Sequence, residues 1–185
     1  IIDWRDTTNS LFEVEQGIAG AESDYYLGRG AGYGCRNGPF ASVEELRMVR
    51  GIDDELFARV RPHLTVYPAS ELININTASR DVLMALANAV PKVDQNAAAG
   101  MVDALLKARA DSLVFTNRAA ITAQMEKKLT AAEWTILQQI RFILGIQSTH
   151  FRGIAEGVPA AAPNEQRTIE FVVDQNGRIA YWHED

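Results

Sequence analysis

The chain is poor in the residues that most catalytic chemistry needs. Its 185 residues include one cysteine, Cys35, and three histidines, His63, His150 and His183. A single cysteine cannot form an intrachain disulfide. The histidines lie far apart, without the H-E-x-x-H spacing of a zinc protease, and the sequence has no G-x-S-x-G nucleophile motif. The sequence therefore supplies no recognisable catalytic centre, and we predict that the protein is not an enzyme.

Long apolar runs and an excess of positive charge are also lacking. No run approaches the roughly 20 apolar residues that span a bilayer. Lysine and arginine total 18 against 24 aspartates and glutamates, a net charge of −6. Proteins that bind nucleic acid through phosphates rely on clustered basic residues, so this balance argues against that class. The chain starts at Ile1 without a methionine, and we expect N-terminal sequence to precede it.

Four glycines alternate with other residues in YYLGRGAGYGCRNGPF, residues 25–40. A dinucleotide-binding turn needs G-x-G-x-x-G after a strand and before a helix, and a P-loop needs Gly-Lys-Ser/Thr. In the two registers that begin on Gly28 or Gly30, the last position is Tyr33 or Cys35. We therefore interpret this segment as a surface loop and not as a phosphate site.

Apolar spacing and capping residues predict that residues 42–145 are mostly helical. Two four-residue segments, S-V-E-E from Ser42 and T-A-A-E from Thr130, match the capping box that begins a helix. Asp94 is predicted to cap a longer helix, and Asn76 or Thr77 the helix before it. These elements form a large, mostly helical domain, residues 1–148, which includes an irregular acidic N-terminal segment.

The last part of the chain has the composition of β-strands. Strand residues flank Asn176-Gly177, a pair that favours a hairpin with a type I′ turn. The segment STHFRGIAEG, residues 148–157, is a candidate third strand. We therefore assign the chain to the α+β class, with a small antiparallel β unit at residues 149–185. Two or three strands are marginal alone, so we expect a part of the protein absent from this sequence to cover them.

Two helix pairs resemble helix-hairpin-helix units or SAM-like helices. They are FASVEELRMVRGIDDELFARV and ININTASRDVLMALANAV. DNA-binding units of this kind present backbone NH groups from a glycine-rich hairpin to a phosphate. Here the hairpin Gly51-Ile52-Asp53-Asp54 carries two carboxylates, and like charges repel. A helix-hairpin-helix DNA-binding protein of competence type remains the alternative function.

The first 24 residues are rich in acidic side chains. They include Asp3, Asp6, Glu13, Glu15, Glu22 and Asp24, with Thr8 and Asn9 among them. Calcium binds six to eight oxygen ligands in flexible geometry, and irregular backbone with carboxylates and amides can supply them. No EF-hand spacing is present. A solvated acidic loop and a cation site both remain open on composition.

The order of these motifs resembles the minor pseudopilin K family of bacterial type II secretion systems, also called general secretion pathway protein K. The blocks are DWRD, GAESDYY, RNGPFASVEELRMVRGI, LTVYP and ININTASRDVLMAL, and the likeness continues more weakly to the closing hairpin. The resemblance implies a pilin-like protein with a membrane-spanning N-terminal helix, a small sheet packed on that helix, and a helical domain inserted between strands.

The resemblance also implies a location, partners and an ion. It implies a subunit anchored in the inner membrane with this fragment in the periplasm, at the tip of a pseudopilus with minor pseudopilins I and J. It implies no nucleic acid and no small-molecule substrate. It further implies a structural calcium ion held by Asp6 and Glu22, with Asp3 and Asn9 as weaker candidates. Thr8 stands where the family often has a third aspartate of the Asp-Trp-x-Asp-x-Asp pattern.

Overall fold

The chain folds into two compact units, residues 1–66 and 67–185. The computed structural model describes residues 1–12, 20–68, 72–111, 113–158 and 165–184. The acidic residues Glu13 and Glu15 lie outside this part of the chain. The domain boundary expected after residue 148 falls within the second unit and stays a prediction.

The first unit is built from short helices around an aromatic core. Its elements are helix α1 (Ile2–Arg5), helix α2 (Ser23–Gly28), a 3-10 helix (Glu44–Met48), helix α3 (Asp54–Val60) and a second 3-10 helix (Arg61–His63). Trp4, Tyr26 and Phe57 are its largest buried side chains. The Trp4 and Tyr26 rings meet edge to face, with centroids 5.2 Å apart, a geometry that aromatic quadrupoles favour. Helices this short depend on such packing because few of their backbone hydrogen bonds are internal.

The capping box predicted at Ser42 forms only in part. The backbone NH of Glu45 donates to Ser42 Oγ at 3.3 Å, as expected. The Glu45 carboxylate, however, accepts hydrogen bonds from the backbone of Ala41 and from the Trp4 indole. The reciprocal bond to Ser42 was therefore wrongly expected, because a long-range donor competes for the same carboxylate.

The second unit contains four longer helices with the caps that their sequences indicate. They are α4 (Arg80–Asn88), α5 (Gln95–Ala110), α6 (Arg118–Met125) and α7 (Ala131–Ile140). Asp94 caps α5, and Thr130 and Glu133 form a complete capping box on α7. The cap expected at Asn76 or Thr77 is wrong, since Ser79 caps α4.

Asn76 fastens two loops of the second unit. Its side-chain amide donates to the carbonyls of Phe115 and Ile146, both at 3.0 Å, and its Oδ1 accepts from the NH of Phe115. Nearby, strand β1 (Ile73–Asn74) pairs in parallel with strand β2 (Leu144–Gly145). Asn76 is therefore a tertiary link, which explains why it does not begin a helix.

Three antiparallel strands complete the second unit. Strand β4 (Arg167–Asp174) lies between β3 (His150–Gly157) and β5 (Ile179–Glu184), which confirms the expected hairpin and the third strand. The turn is not type I′, because Gly177 alone among the turn residues has a positive φ, 79°. Asp174 instead accepts from the NH groups of Asn176 and Arg178. This is the longer turn that ends in a glycine bulge.

One face of this sheet carries an apolar surface. Cross-strand register brings Phe151 opposite Val173, Ala155 opposite Ile169, and Gly153, Phe171 and Trp182 into one row. Phe151 and Trp182 are each 52% exposed. We call Phe151, Ile169, Phe171, Val173 and Trp182 the apolar sheet face. Since an apolar surface of this kind marks a contact surface, it agrees with the expectation that the sheet needs a cover.

The fold class is confirmed at the level of a mixed helical and β protein with a small antiparallel sheet. The finer assignment of the helix pairs to helix-hairpin-helix units stays a prediction. Across the described ranges, no helix combines the length and the apolar character needed to cross a membrane.

Replacing Asn76 by alanine should destabilise the second unit. The variant Asn76→Ala leaves the part-buried backbone groups of Phe115 and Ile146 without their partner, and we expect a loss of about 2–4 kcal/mol in unfolding free energy. Asn96→Ala is the matched control, because Asn96 is exposed on α5. Chemical denaturation monitored by circular dichroism measures both variants. Equal stabilities for the two variants would contradict the role of Asn76.

Candidate metal-binding site

Three carboxylates from two segments of the first unit converge on one point. Asp3 lies in α1, Asp6 ends that helix, and Glu22 directly precedes α2. One carboxylate oxygen from each lies within 4.8 Å of the others. Calcium lies about 2.3–2.6 Å from its oxygen ligands, so ligands of one ion are at most about 5 Å apart. The spacing therefore fits a single calcium ion.

Two of the three carboxylates are deeply buried. Asp3 is 3% exposed and Glu22 is 6% exposed, while Asp6 is half-buried. Asp3 Oδ2 and both Glu22 oxygens are buried and have no hydrogen-bond partner among the described residues. A buried carboxylate without a partner is costly, because its charge loses the solvation of water. These oxygens require either protons or a cation, and they are the direct structural argument for an ion.

Backbone donors fix the remaining oxygens. The NH of Phe12 donates to Asp3 Oδ1 at 2.9 Å. The NH and the hydroxyl of Thr8 both donate to Asp6 Oδ1, each at 2.9 Å. Thr8 therefore contributes no negative charge to the site. It orients the Asp6 carboxylate, which keeps its second oxygen available.

The electrostatics of the cluster act against a charged Glu22. Burial raises the pKa of Glu22 above its ordinary value, and the neighbouring Asp3, Asp6 and Asp24 carboxylates raise it further. Both effects disfavour the carboxylate form in the absence of a cation. A divalent ion would reverse this balance, because it attracts the same charges that now repel one another.

The glycine-rich loop joins the two segments that carry the carboxylates. The NH of Cys35 donates to Ser23 Oγ at 2.9 Å, beside Glu22. The NH of Asn37 donates to the carbonyl of Trp4 at 3.0 Å, beside Asp3. The loop thus has a structural role at the acidic site. The sequence had predicted only a surface loop that binds no phosphate.

Cys35 is not poised as a nucleophile. Burial raises the pKa of its thiol, and the Glu22, Asp3 and Asp6 carboxylates add to that shift. Its Sγ donates to the carbonyl of Ala21 at 3.3 Å. Since the thiolate is the reactive form, this environment disfavours the form that would act as a nucleophile.

The structure brings together three of the four residues predicted to bind the ion. Asp3, Asp6 and Glu22 form the cluster, and Asn9 is exposed in the same segment, where its role stays a prediction. Sequence reasoning missed Gly20, whose backbone lies against the Asp3 carboxylate so closely that any side chain would collide with Oδ2. Only the folded backbone reveals that contact. Among described histidine, cysteine and acidic residues, this is the one group of three or more with metal-site spacing.

Comparison with known proteins gives relatives of one kind. Residues 1–69 match the family model described as type II secretion system protein K. The chain is 34% identical over 133 residues to protein K of Klebsiella pneumoniae, covering 68% of this chain and 39% of the relative. It is 32% identical over 104 residues to protein K of Pseudomonas aeruginosa, covering 56% of this chain and 28% of the relative. The alignments thus span less than half of either relative.

A solved structure has the same fold. It is the complex of GspK, GspI and GspJ from the type 2 secretion system of enterotoxigenic Escherichia coli, and the match has a TM-score of 0.70. It covers 99% of this chain and 60% of that chain at 18% identity, so this likeness concerns the fold. The domain match and the relatives confirm the family indicated by the motif order: the chain is a member of the protein K family of type II secretion systems.

Proposed function

We propose that this chain is the periplasmic part of a minor pseudopilin at the tip of the type II secretion pseudopilus. In this role it is a non-enzymatic subunit that takes part in protein export across the outer membrane. The observation that carries the proposal is the match of residues 1–69 to the protein K domain, followed by a helical unit and an antiparallel sheet. A bulky helical part suits the tip, because no further subunit has to stack above it.

The apolar sheet face supports a pilin-like arrangement of the whole protein. In that arrangement a membrane-anchored N-terminal helix packs on the sheet, and the rest of the chain lies in the periplasm. The exposed rings of Phe151 and Trp182 and the half-buried Phe171 provide the surface for this contact. Burial of such side chains contributes about 1.5–3 kcal/mol each, which would stabilise a sheet that is marginal alone.

Minor pseudopilins of the I and J types are the proposed partners. The solved relative with the same fold is a complex of GspK with GspI and GspJ. We extend that assembly to the whole protein that contains this chain. It forms the tip together with these two types of subunit.

A structural calcium ion at Asp3, Asp6 and Glu22 belongs to the same proposal. The ion would supply positive charge and several coordination sites for oxygen. Asp3 and Glu22 would contribute the buried oxygens that have no partner among the described residues, and Asp6 the oxygen that Thr8 does not engage. These residues would join α1 to the start of α2 in a unit with a small core.

Two observations argue against the DNA-binding alternative. Asp53, in the hairpin that would face a phosphate, accepts from the NH of Leu56 at 2.8 Å and so caps α3. The carboxylate thus engages a donor at the helix end that a phosphate would need. The matched relatives are secretion proteins, and none of these findings favours nucleic acid.

Deletion of the gene that encodes this chain should stop export by the type II system. Secreted proteins should accumulate in the periplasm, because the tip subunit is missing. Affinity purification of the full-length protein from detergent extracts should recover the I- and J-type pseudopilins. The wild-type gene and the surface variant Asn96→Ala should both restore export. Normal export in the deletion strain, or purification without either partner, would contradict the proposal.

Calcium should stabilise the wild-type chain and not the variant Glu22→Gln. Ligand binding to the folded state raises the melting temperature by mass action, and we expect about 5 °C at saturating Ca²⁺ relative to EDTA. Removing one carboxylate should abolish this increase, while in EDTA it should raise the melting temperature because repulsion is relieved. Asp24→Asn is the matched control, since Asp24 is exposed on α2, two residues after Glu22, and should keep the calcium response. Equal melting temperatures with Ca²⁺ and EDTA in the wild type would refute the calcium site.

The stability of the calcium-free protein should depend on pH through Glu22. Its pKa is raised in the fold above the ordinary 4.5, so the folded state binds the proton more tightly than the unfolded chain. The stabilisation is therefore complete below about pH 4.5 and is lost as the pH rises through the folded pKa. In EDTA, the melting temperature of wild type relative to Glu22→Gln should fall from pH 4.5 to pH 7. A difference that is constant or rises over this range would contradict the shift.

A further inference from the structure

Trp4 stands between Asp3 and Asp6 in the sequence and contacts the helix that follows Glu22. Its side chain is 2% exposed. Its ring meets Tyr26 of α2 at 5.2 Å and Tyr33 of the glycine-rich loop at 6.0 Å, both edge to face. The orientation of this one ring therefore affects the position of the two aspartates relative to the glutamate.

Glu45 fixes the orientation of that ring from outside the acidic cluster. Its Oε1 accepts from the Trp4 indole Nε1 at 2.9 Å, across 41 residues of sequence. Its Oε2 accepts from the NH of Ala41 at 2.8 Å and lies 3.4 Å from the Arg36 guanidinium. The Glu45 side chain is only 10% exposed. Each oxygen thus has its own backbone or side-chain donor, which holds the carboxylate in one rotamer.

We propose that Glu45 is a positioning residue for the cation site, acting through its hydrogen bond to Trp4. This inference rests on the calcium site proposed above. Groups that orient ligands from behind contribute to metal affinity because they hold the ligand geometry before the ion arrives. Glu45 contacts Trp4 through a directional bond, so its effect on the ion differs from that of a distant negative charge.

The neighbouring glutamate separates these two effects. Glu44 carries the same charge one residue earlier, but its Oε1 accepts from the Nη2 of Arg61 at 3.0 Å. Glu44→Gln therefore removes a charge of the same kind without touching Trp4. Glu45→Gln replaces one of the two acceptor oxygens by an NH2 group, so either Trp4 or Ala41 loses its acceptor.

Terbium binding to the purified chain tests the inference. Tb³⁺ replaces Ca²⁺ at oxygen sites, and excitation of a nearby tryptophan sensitises its emission. For the wild type we expect saturable emission that excess Ca²⁺ reverses. Glu45→Gln should weaken the affinity for Tb³⁺ about tenfold, measured well below the melting temperature, and Glu44→Gln should retain the wild-type affinity. A purely structural role of Glu45 would lower the melting temperature without this loss of affinity.

The pair Trp4→Phe and Glu45→Gln tests whether Glu45 acts through the indole. Trp4→Phe keeps an aromatic ring but removes the NH donor, so calorimetry with Ca²⁺ replaces emission as the readout. Its affinity should fall by a factor similar to that of Glu45→Gln, and the double variant should bind no more weakly than either single variant. If Glu45→Gln does not fold, a wild-type affinity in Trp4→Phe still overturns the proposal.

The remaining outcomes distinguish this inference from the calcium proposal. A wild-type affinity in Glu45→Gln, with Tb³⁺ bound normally by the wild type, overturns the positioning role and leaves the calcium site intact. An equal loss in Glu44→Gln assigns the effect to charge and also overturns the role. No Tb³⁺ emission in the wild type, together with no Ca²⁺ effect on its melting temperature, refutes the calcium site and the inference with it.

Discussion

The repulsion among three carboxylates inside a small aromatic unit is the constraint on which the first half of the structure depends. Asp3 and Glu22 are buried with oxygens that have no partner among the described residues. A short helix and a loop bring them there, and neither element has enough internal hydrogen bonding to be stable alone. The aromatic contacts of Trp4, Tyr26 and Tyr33 therefore hold the carboxylates together against their mutual repulsion. A bound cation would remove that repulsion.

The second unit depends on packing of a more ordinary kind. Its helices surround an apolar core that includes Leu83, Met101 and Leu137, each fully buried. Side-chain hydrogen bonds then fasten the loops between helices, as Asn76 does for Phe115 and Ile146. The sheet at its end has Val172 as its one buried residue among the described strand positions. The two units thus differ in what stabilises them: the second is stable through burial of apolar side chains, and the first contains a site whose geometry would respond to an ion.

Much of the fold could be predicted because caps and turns are local. Asp94 and the pair Thr130 and Glu133 begin helices where the sequence indicates, since the groups involved lie within four residues of one another. Predictions failed where a distant partner competed. The Glu45 carboxylate accepts from the Trp4 indole and does not cap its own helix. The Asn76 side chain donates to two loop carbonyls and does not cap α4. At Asn176-Gly177 the Asp174 side chain accepts hydrogen bonds from two backbone NH groups, which favours a turn longer than the predicted type I′ turn.

The sequence by itself determined the family, the mixed helical and β class, the acidic composition of the first segment and the choice of Asp3, Asp6 and Glu22 as candidate ligands. Those features follow from residue types and motif order, which are readable without coordinates. Only the tertiary structure decided that Asp3 and Glu22 are buried together, that Gly20 lies against Asp3, and that Glu45 orients Trp4. These contacts join residues that are up to 41 positions apart, and no local sequence pattern specifies which distant group will contact a given carboxylate.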